Sequence, residues 1–138
     1  MIGLERFLEA QEKTYGVALQ EISNGYKESH WMWYVFPQLK GLGKSPAANF
    51  YGINNREEAE AFIRHPILGK RLIEISELLL QVPCNDAEEV MGWPDNLKLQ
   101  SCMTLFNLVS DEPVFKKVLD KFFEGKRDLK TEEMLDQV

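Results

Sequence analysis

Apolar residues recur along this chain at intervals of three and four positions, which is the spacing of one face of an α-helix. The clearest seam lies between two prolines and consists of Leu68, Leu72, Ile75 and Leu79. Similar seams follow Asn55, Asp95 and Pro113. No segment alternates apolar and polar residues as a half-buried strand does. The pattern therefore predicts a mainly α fold, a compact single helical domain of about six to eight helices over residues 1–138.

Capping and turn residues indicate where these helices begin and end. Asn55 is followed three residues later by Glu58, which is the spacing of an N-terminal capping box. Asn85 has a glutamate at the same spacing, and Asp95 is placed to cap the helix that follows it. Residues 37–54 form the longest irregular stretch, with one helical turn expected inside it. Long loops in compact domains often carry function.

Residues 30–36 are the densest aromatic segment and contain Trp31 and Trp33. Whether the segment is a helix or a strand, its large side chains cover every face. We therefore expect it to be buried on all sides. Pro37 disfavours helical backbone at the residue before it, so any helix ends there.

Length and charge limit which kinds of protein this can be. A chain of 138 residues is long enough to form one domain with a hydrophobic core that needs no disulfide bond or metal ion for stability. A net charge of -6 argues against general nucleic-acid binding, which depends on many Lys and Arg contacts with phosphates. Cys84 and Cys102 form no CxxC pair, and no apolar run approaches the roughly 18 residues of a membrane span. Charges also interrupt the start of the chain, where a signal peptide is apolar. We expect a soluble, cytoplasmic protein that does not bind membranes.

Polar residues beside the aromatic segment are the first candidates for chemistry. His30 can donate, accept or relay a proton near neutral pH, or it can be a structural histidine bonded to a carbonyl group. Lys27 is either a ligand-binding cation or an exposed surface residue. Gln38 can recognise an amide-like or ring-nitrogen edge, or it can stabilise a turn.

A second set of polar residues lies at the start of the helix after Pro94. Asp95 and Lys98 are one turn apart where free backbone N–H groups favour an anion, and Ser101 continues the polar stripe. These residues line a site if the stripe faces inward, and they are a cap and surface residues if it faces outward. Glu58 has the same two interpretations.

The sequence lacks the common cofactor and metal motifs. Two histidines and two cysteines without close spacing give no zinc-ligand pattern. The chain contains no GxGxxG, Walker-type phosphate loop or GxSxG segment. We therefore expect neither a metal nor a cofactor.

Several motifs resemble those of a family of small bacterial proteins that is known only as a domain of unknown function. The most specific is SHWMW-x-x-FPQ at residues 29–38; residues 41–43, 65–69 and 95–106 also match. The resemblance covers roughly residues 3–135 and implies a compact multihelical fold. Some members are labelled calpastatin, but this chain does not look like a disordered protease-inhibitor repeat.

The C-terminal half is also faintly similar to the NADAR proteins, which are associated with NAD and ADP-ribose derivatives and with cleavage of N-glycosidic bonds. The similar residues include Val114, Phe115 and the turn 125–128. This similarity implies that Glu58 or Asp95 assists water or stabilises an oxocarbenium-like sugar. It also implies that a tryptophan of the aromatic segment stacks on a base.

Two functional hypotheses stay open at this point, and the sequence does not say whether the protein is an enzyme. In the first, the protein binds a nucleotide-like small molecule between the aromatic segment, the 37–54 loop and the start of the Asp95 helix. If the protein is also an enzyme under this hypothesis, it hydrolyses nucleotide or ADP-ribose derivatives. The catalytic candidates are His30, Glu58 and Asp95, and the ligand-binding candidates are Lys27, Trp31, Trp33, Gln38, Lys98 and Ser101.

In the second hypothesis, the protein is a non-catalytic interaction or regulatory module whose aromatic segment is core. No particular protein partner is indicated. The first hypothesis predicts that the polar candidates meet in one cavity; the second predicts scattered caps and an exposed apolar patch.

Overall fold

The computed structural model describes residues 3–137, and this part of the chain forms nine α-helices and no strand. They are α1 (Glu5–Ser23), α2 (Met32–Val35), α3 (Pro46–Tyr51), α4 (Arg56–Arg64), α5 (Leu68–Gln81), α6 (Ala87–Met91), α7 (Asp95–Val109), α8 (Pro113–Phe123) and α9 (Leu129–Gln137). The mainly α fold is confirmed. Within the same residues, no helix is both long enough and apolar enough to cross a membrane.

Helix α7 lies at the centre of the core and packs against α4, α6, α8 and α9. Its six consecutive residues 101–106 are all buried, so this part of the helix is enclosed on every side. Cys102 belongs to this run, and burial raises the pKa of its thiol well above the ordinary value. An enclosed helix of this kind fixes the positions of the elements around it.

The aliphatic seam of α5 forms as the sequence predicts. Leu68, Leu72, Ile75 and Leu79 are all buried, and α5 packs against α1, α4 and α8. Gly69 permits the close approach of α4, because a Cβ atom there would lie 2.0 Å from the carbonyl oxygen of Ile63. The seam therefore joins the N-terminal and C-terminal helices into one connected core.

Two of the three predicted caps are wrong, and one is confirmed. The Asn55 side chain accepts the backbone N–H of Glu58 at 2.8 Å, as expected. Asp86, not Asn85, caps α6, because its carboxylate accepts two backbone N–H groups of the first turn. Asp95 is the first residue of α7 rather than its cap, and its side chain makes no capping bond.

The aromatic segment forms the short helix α2, which packs against α1 and α3. Trp31, Met32, Val35 and Phe36 are buried. Trp33 and Tyr34 are only partly buried, so the expectation of burial on all sides is wrong for them. A single short helix turns one face away from the core, and residues 33 and 34 lie on that face.

The 37–54 loop is closed at its base by a parallel bridge between Leu39 and Ile53. The N–H of Lys40 donates to the carbonyl of Ile53 at 2.8 Å, and the N–H of Ile53 donates to the carbonyl of Gln38 at 2.9 Å. Gly52 is required here, because a Cβ atom would lie 2.5 Å from the Lys40 Cα. The helical turn predicted inside the loop is α3.

Candidate functional site

Lys27 and Lys98 hold the carboxylate of Asp95 between them. Lys27 Nζ lies 2.7 Å from Asp95 Oδ2, and Lys98 Nζ lies 3.5 Å from Asp95 Oδ1. The side chains of Lys27, Asp95 and Lys98 are 5%, 20% and 22% exposed, so water screens these pairs less than it screens a surface pair. The backbone N–H of Lys27 donates to the carbonyl of Val90 at 2.7 Å, which fixes this loop against α6.

The same two lysines each lie over an indole ring. Lys27 Nζ is 5.1 Å from the ring centroid of Trp31, and Lys98 Nζ is 5.1 Å from that of Trp33. An ammonium group at this distance is attracted to the face of the ring. We call the five residues Lys27, Trp31, Trp33, Asp95 and Lys98 the lysine–indole cluster.

The buried carboxylate of Glu21 organises the loop that carries this cluster. Glu21 Oε1 accepts the backbone N–H groups of Glu28 and Ser29, both at 2.9 Å, and the indole N–H of Trp31 at 2.8 Å. The Ser29 hydroxyl donates to its other oxygen. Burial by itself raises the pKa of Glu21, but these hydrogen bonds favour the charged form and lower it to about 2.

A narrow cavity, which we call the slot cavity, lies beside the lysine–indole cluster and has room for about one water molecule. It is bounded by α2, the 37–54 loop and the first turns of α7, the three segments that the sequence predicted for a pocket. Its lining residues are Met32, Trp33, Phe36, Gln38, Ala48, Tyr51, Gly52 and Lys98. Among the described residues, none pairs with the buried indole N–H of Trp33.

Glu58 lies in a different environment from the lysine–indole cluster. Its Oε1 contacts Arg6 Nη2 at 3.1 Å and accepts the backbone N–H of Asn54 at 2.9 Å. The cavity that Glu58 borders shares no lining residue with the slot cavity. Arg6 also donates to the carbonyl of Gly52 at 2.8 Å, so Glu58 supports the 37–54 loop from behind.

His30 and Ser101 lie outside the slot cavity as well. The His30 side chain is exposed, and its carbonyl lies 3.5 Å from the Tyr34 hydroxyl. Ser101 donates to Asp128 Oδ2 at 2.9 Å, a contact that joins α7 to the start of α9. The catalytic and binding roles of these residues stay predictions.

Three of the nine candidates, Trp33, Gln38 and Lys98, line the slot cavity. Three more, Lys27, Trp31 and Asp95, are joined to Lys98 and Trp33 through the lysine–indole cluster. Sequence reasoning missed Glu21. A signal was present, because Glu21 falls three positions after the buried Ala18, on the face of α1 that also contains Tyr15 and Ile22. Within residues 3–137, no group of three His, Cys, Asp or Glu side chains is arranged to hold a metal ion.

Comparison with known proteins places the chain in a family. Residues 1–135 match the family described as protein of unknown function DUF1810. The chain belongs to this family. It is similar to the conserved hypothetical protein Rv1873 from Mycobacterium tuberculosis, whose crystal structure superposes with a TM-score of 0.95 at 45% sequence identity. The alignment covers 98% of this chain and 97% of that protein. No curated protein matches the chain, so these comparisons assign no activity to this DUF1810 member.

Proposed function

We propose that this protein binds a small molecule composed of a flat ring and an anionic group, as nucleotide derivatives are. The ring lies over the mouth of the slot cavity, and the anionic group lies beside Lys98 at its edge. The observation that carries the proposal is the meeting of α2, the 37–54 loop and α7 around one space that has aromatic walls and a cation.

The walls of the slot cavity favour a flat ring at its mouth. The interior has room for only about one water molecule, so the ring contacts the lining residues from outside the cavity. Met32, Phe36 and Tyr51 supply apolar and aromatic surface. Rings gain from both area burial and stacking against such surfaces.

The charges of the lysine–indole cluster favour an anion. Two ammonium groups face one carboxylate, so the cluster keeps one positive charge in excess. Lys27 is the more buried lysine and also donates to the carbonyl of Ser29. Lys98 borders the slot cavity and is therefore the cation that a bound phosphate or carboxylate contacts.

An enzyme that binds such a molecule could also hydrolyse it, and the substrates would then be nucleotide or ADP-ribose derivatives. Asp95 is the carboxylate of the cluster, but each of its oxygens already contacts an ammonium group. In this arrangement Asp95 orients the two lysines, which compete with a water for its lone pairs. The geometry therefore supports binding better than turnover.

A second candidate function is a non-catalytic interaction module. Trp93 is 71% exposed and Leu97, four residues later, is 50% exposed. Large apolar side chains in water at neighbouring positions are typical of contact surfaces. If this function is the correct one, the variant Trp93→Ser changes partner binding and leaves small-molecule binding unchanged.

Calorimetric titration with AMP, ADP-ribose and NAD tests the proposal, with chromatography of the same mixtures to detect hydrolysis. We expect binding of at least one compound and about tenfold weaker binding by the variant Lys98→Met, equal to about 1.4 kcal/mol. The matched control is Lys116→Met, because Lys116 also pairs with an aspartate but lies exposed on α8. No heat with any compound, or equal binding by both variants, contradicts the proposal.

A further inference from the structure

We infer that a second cavity of this protein binds an organic cation, a small molecule that joins an apolar body to an ammonium group. The cavity lies between the first turns of α1 and helix α4, and we call it the α1–α4 cavity. It shares no lining residue with the slot cavity, so the inference does not depend on the proposed function.

The size and walls of the α1–α4 cavity suit a whole small molecule. Its volume is about 500 Å³, within the roughly 300–1,000 Å³ of most ligand pockets. Leu4 and Leu8 of α1 and the exposed Ala61 of α4 supply apolar surface. Ala61 stands one helical turn after Glu57 and one turn before His65, so its short side chain leaves an opening between two longer ones. Along α4, the cavity is therefore apolar in the middle and polar at both ends.

The charges of the lining favour a cation. Among the described residues, the lining has three carboxylates and no Lys or Arg side chain. The carboxylate of Glu58 is neutralised by Arg6, whose Nη2 lies 3.1 Å away. Glu5 and Glu57 pair with no cation of residues 3–137. A cleft lined by charges of one sign attracts a ligand of the opposite sign.

The helix ends beside the α1–α4 cavity do not reverse this charge. Glu5 lies in the first turn of α1 and Glu57 in that of α4. A helix N-terminus carries about half a positive charge, so the two ends offset only about one of the two carboxylates. His65 adds no positive charge while its Nδ1 accepts the backbone N–H of Ile67 at 3.1 Å, because both ring nitrogens donate in the charged form.

Glu58 is committed to the fold, which leaves the other two carboxylates for the ligand. Its Oε1 accepts the backbone N–H of Asn54 at 2.9 Å and the side-chain amide of the same residue at 3.2 Å. Within residues 3–137, no three acidic, His or Cys side chains are arranged to hold a metal ion, so an organic cation fits better than a metal. Its ammonium group lies beside Glu5 and Glu57, and its apolar body lies against Ala61.

Three probes of similar size and different charge test the inference by calorimetric titration of the full chain. Phenethylamine is a cation at neutral pH, phenethyl alcohol is neutral and phenylacetate is an anion. We expect phenethylamine to bind at least about fivefold more tightly than the alcohol, as one exposed ion pair allows, and phenylacetate to bind most weakly. High salt should reduce the difference, because exposed charges are screened.

Two variants locate the probe in the α1–α4 cavity. Glu57→Gln removes one charge and keeps the shape, so we expect about fivefold weaker binding of phenethylamine. Its matched control is Glu60→Gln, on the same helix outside the cavity. Ala61→Phe fills the opening at an exposed position and should abolish binding of all three probes, whereas Ala10→Phe on α1 should not. If Ala61→Phe does not fold, Glu57→Gln decides the question.

The remaining outcomes overturn the inference. They are equal affinity for the three probes, absence of binding by phenethylamine, and binding that folded Glu57→Gln or Ala61→Phe leaves unchanged. Binding that appears only in a variant without residues 1 and 2 also overturns it, because the cavity then accommodates the chain itself. Lys98→Met separates the two sites: it should leave phenethylamine binding unchanged, and a loss of that binding would place the amine at the slot cavity instead.

Discussion

Trp31 and Trp33 show how two identical side chains, two positions apart, acquire different roles. Trp31 precedes α2 and points into the core, where its ring packs at 6.1 Å from that of Phe36 and its N–H is bonded to Glu21. Trp33 lies within α2 and borders the slot cavity. The first indole stabilises the fold, and the second is the one that we propose contacts a ligand.

Substitution of these indoles by alanine separates the two roles. Trp31→Ala removes a fully buried ring and its hydrogen bond, so we expect the free energy of unfolding to fall by about 3–5 kcal/mol. Trp33→Ala should cost about 1–2 kcal/mol, because part of that ring already contacts water. Urea unfolding curves measure both values. Equal losses at the two positions would show that Trp33 belongs to the core.

Single residues were predictable from the sequence where their partners are near in the chain. The cap at Asn55 depends on a backbone N–H three positions away, and it forms. Asp95 was misassigned because its carboxylate contacts Lys27, which is distant in sequence and reaches it only through the fold. Asn85 was misassigned because its side chain accepts a hydrogen bond at 2.6 Å from Lys121 of another helix.

At the scale of elements, one carboxylate links α1 to α2. Glu21 near the end of α1 accepts hydrogen bonds from residues 28, 29 and 31, so the turn between the two helices folds around a single charged group. This turn also places Lys27 beside Asp95. The position of the lysine–indole cluster therefore depends on the ionisation of Glu21.

Acid should weaken this connection between α1 and α2. The pKa of Glu21 falls from an ordinary 4.5 to about 2 in the folded protein, so between these values the unfolded chain binds more protons. The stabilisation is complete above about pH 5 and decreases as the pH falls towards 2. Its size is about 1–2 kcal/mol after allowance for solvent screening.

The variant Glu21→Gln tests this pH dependence. It should lose the part of the stability change between pH 5 and pH 2 that Glu21 contributes. Urea unfolding at several pH values compares it with the original chain and with the control Glu12→Gln, which alters an exposed residue of the same helix. An unchanged pH profile in Glu21→Gln would mean that Glu21 is not the group that titrates.

Whole elements were easier to predict than the contacts between them. The seam of α5 is periodic and fully buried, and periodicity is visible in the sequence. The slot cavity, in contrast, needs α2, the 37–54 loop and α7 in one place, and the sequence supplied only the candidate segments. Their meeting depends on side-chain packing across the core, which no local pattern encodes.

On the scale of the whole molecule, α9 is attached to the central helix through Asp128. The carboxylate of Asp128 accepts the hydroxyl of Ser101 at 2.9 Å and that of Thr131, and its backbone N–H donates to Thr104 Oγ1 at 2.9 Å. Ser101, Thr104 and Thr131 are buried. None of these residues lines the slot cavity, and the network holds the C-terminal helix in place.

Asp128→Ala should therefore affect stability without affecting ligand binding. The substitution leaves two buried hydroxyl groups with one partner fewer, so we expect a loss of about 1–3 kcal/mol. Asp136→Ala, at an exposed position of the same helix, is the control. Urea unfolding measures the loss, and calorimetry with the ligand found for the slot cavity measures affinity. A large loss of affinity in folded Asp128→Ala would place α9 in the site.

The bridge between Leu39 and Ile53 makes the loop segment between these two residues a structurally separate unit. Because the loop is fastened at its base by backbone atoms, the fastening does not depend on which side chains the span between them carries. Provided that Gly41, Gly43, Ala48 and Gly52 are kept, the exposed positions of the span can vary in sequence while the helices beneath keep their arrangement. Under the proposed function, exchange of these exposed positions changes what the loop presents to a ligand, and a protein engineer can graft alternative sequences there.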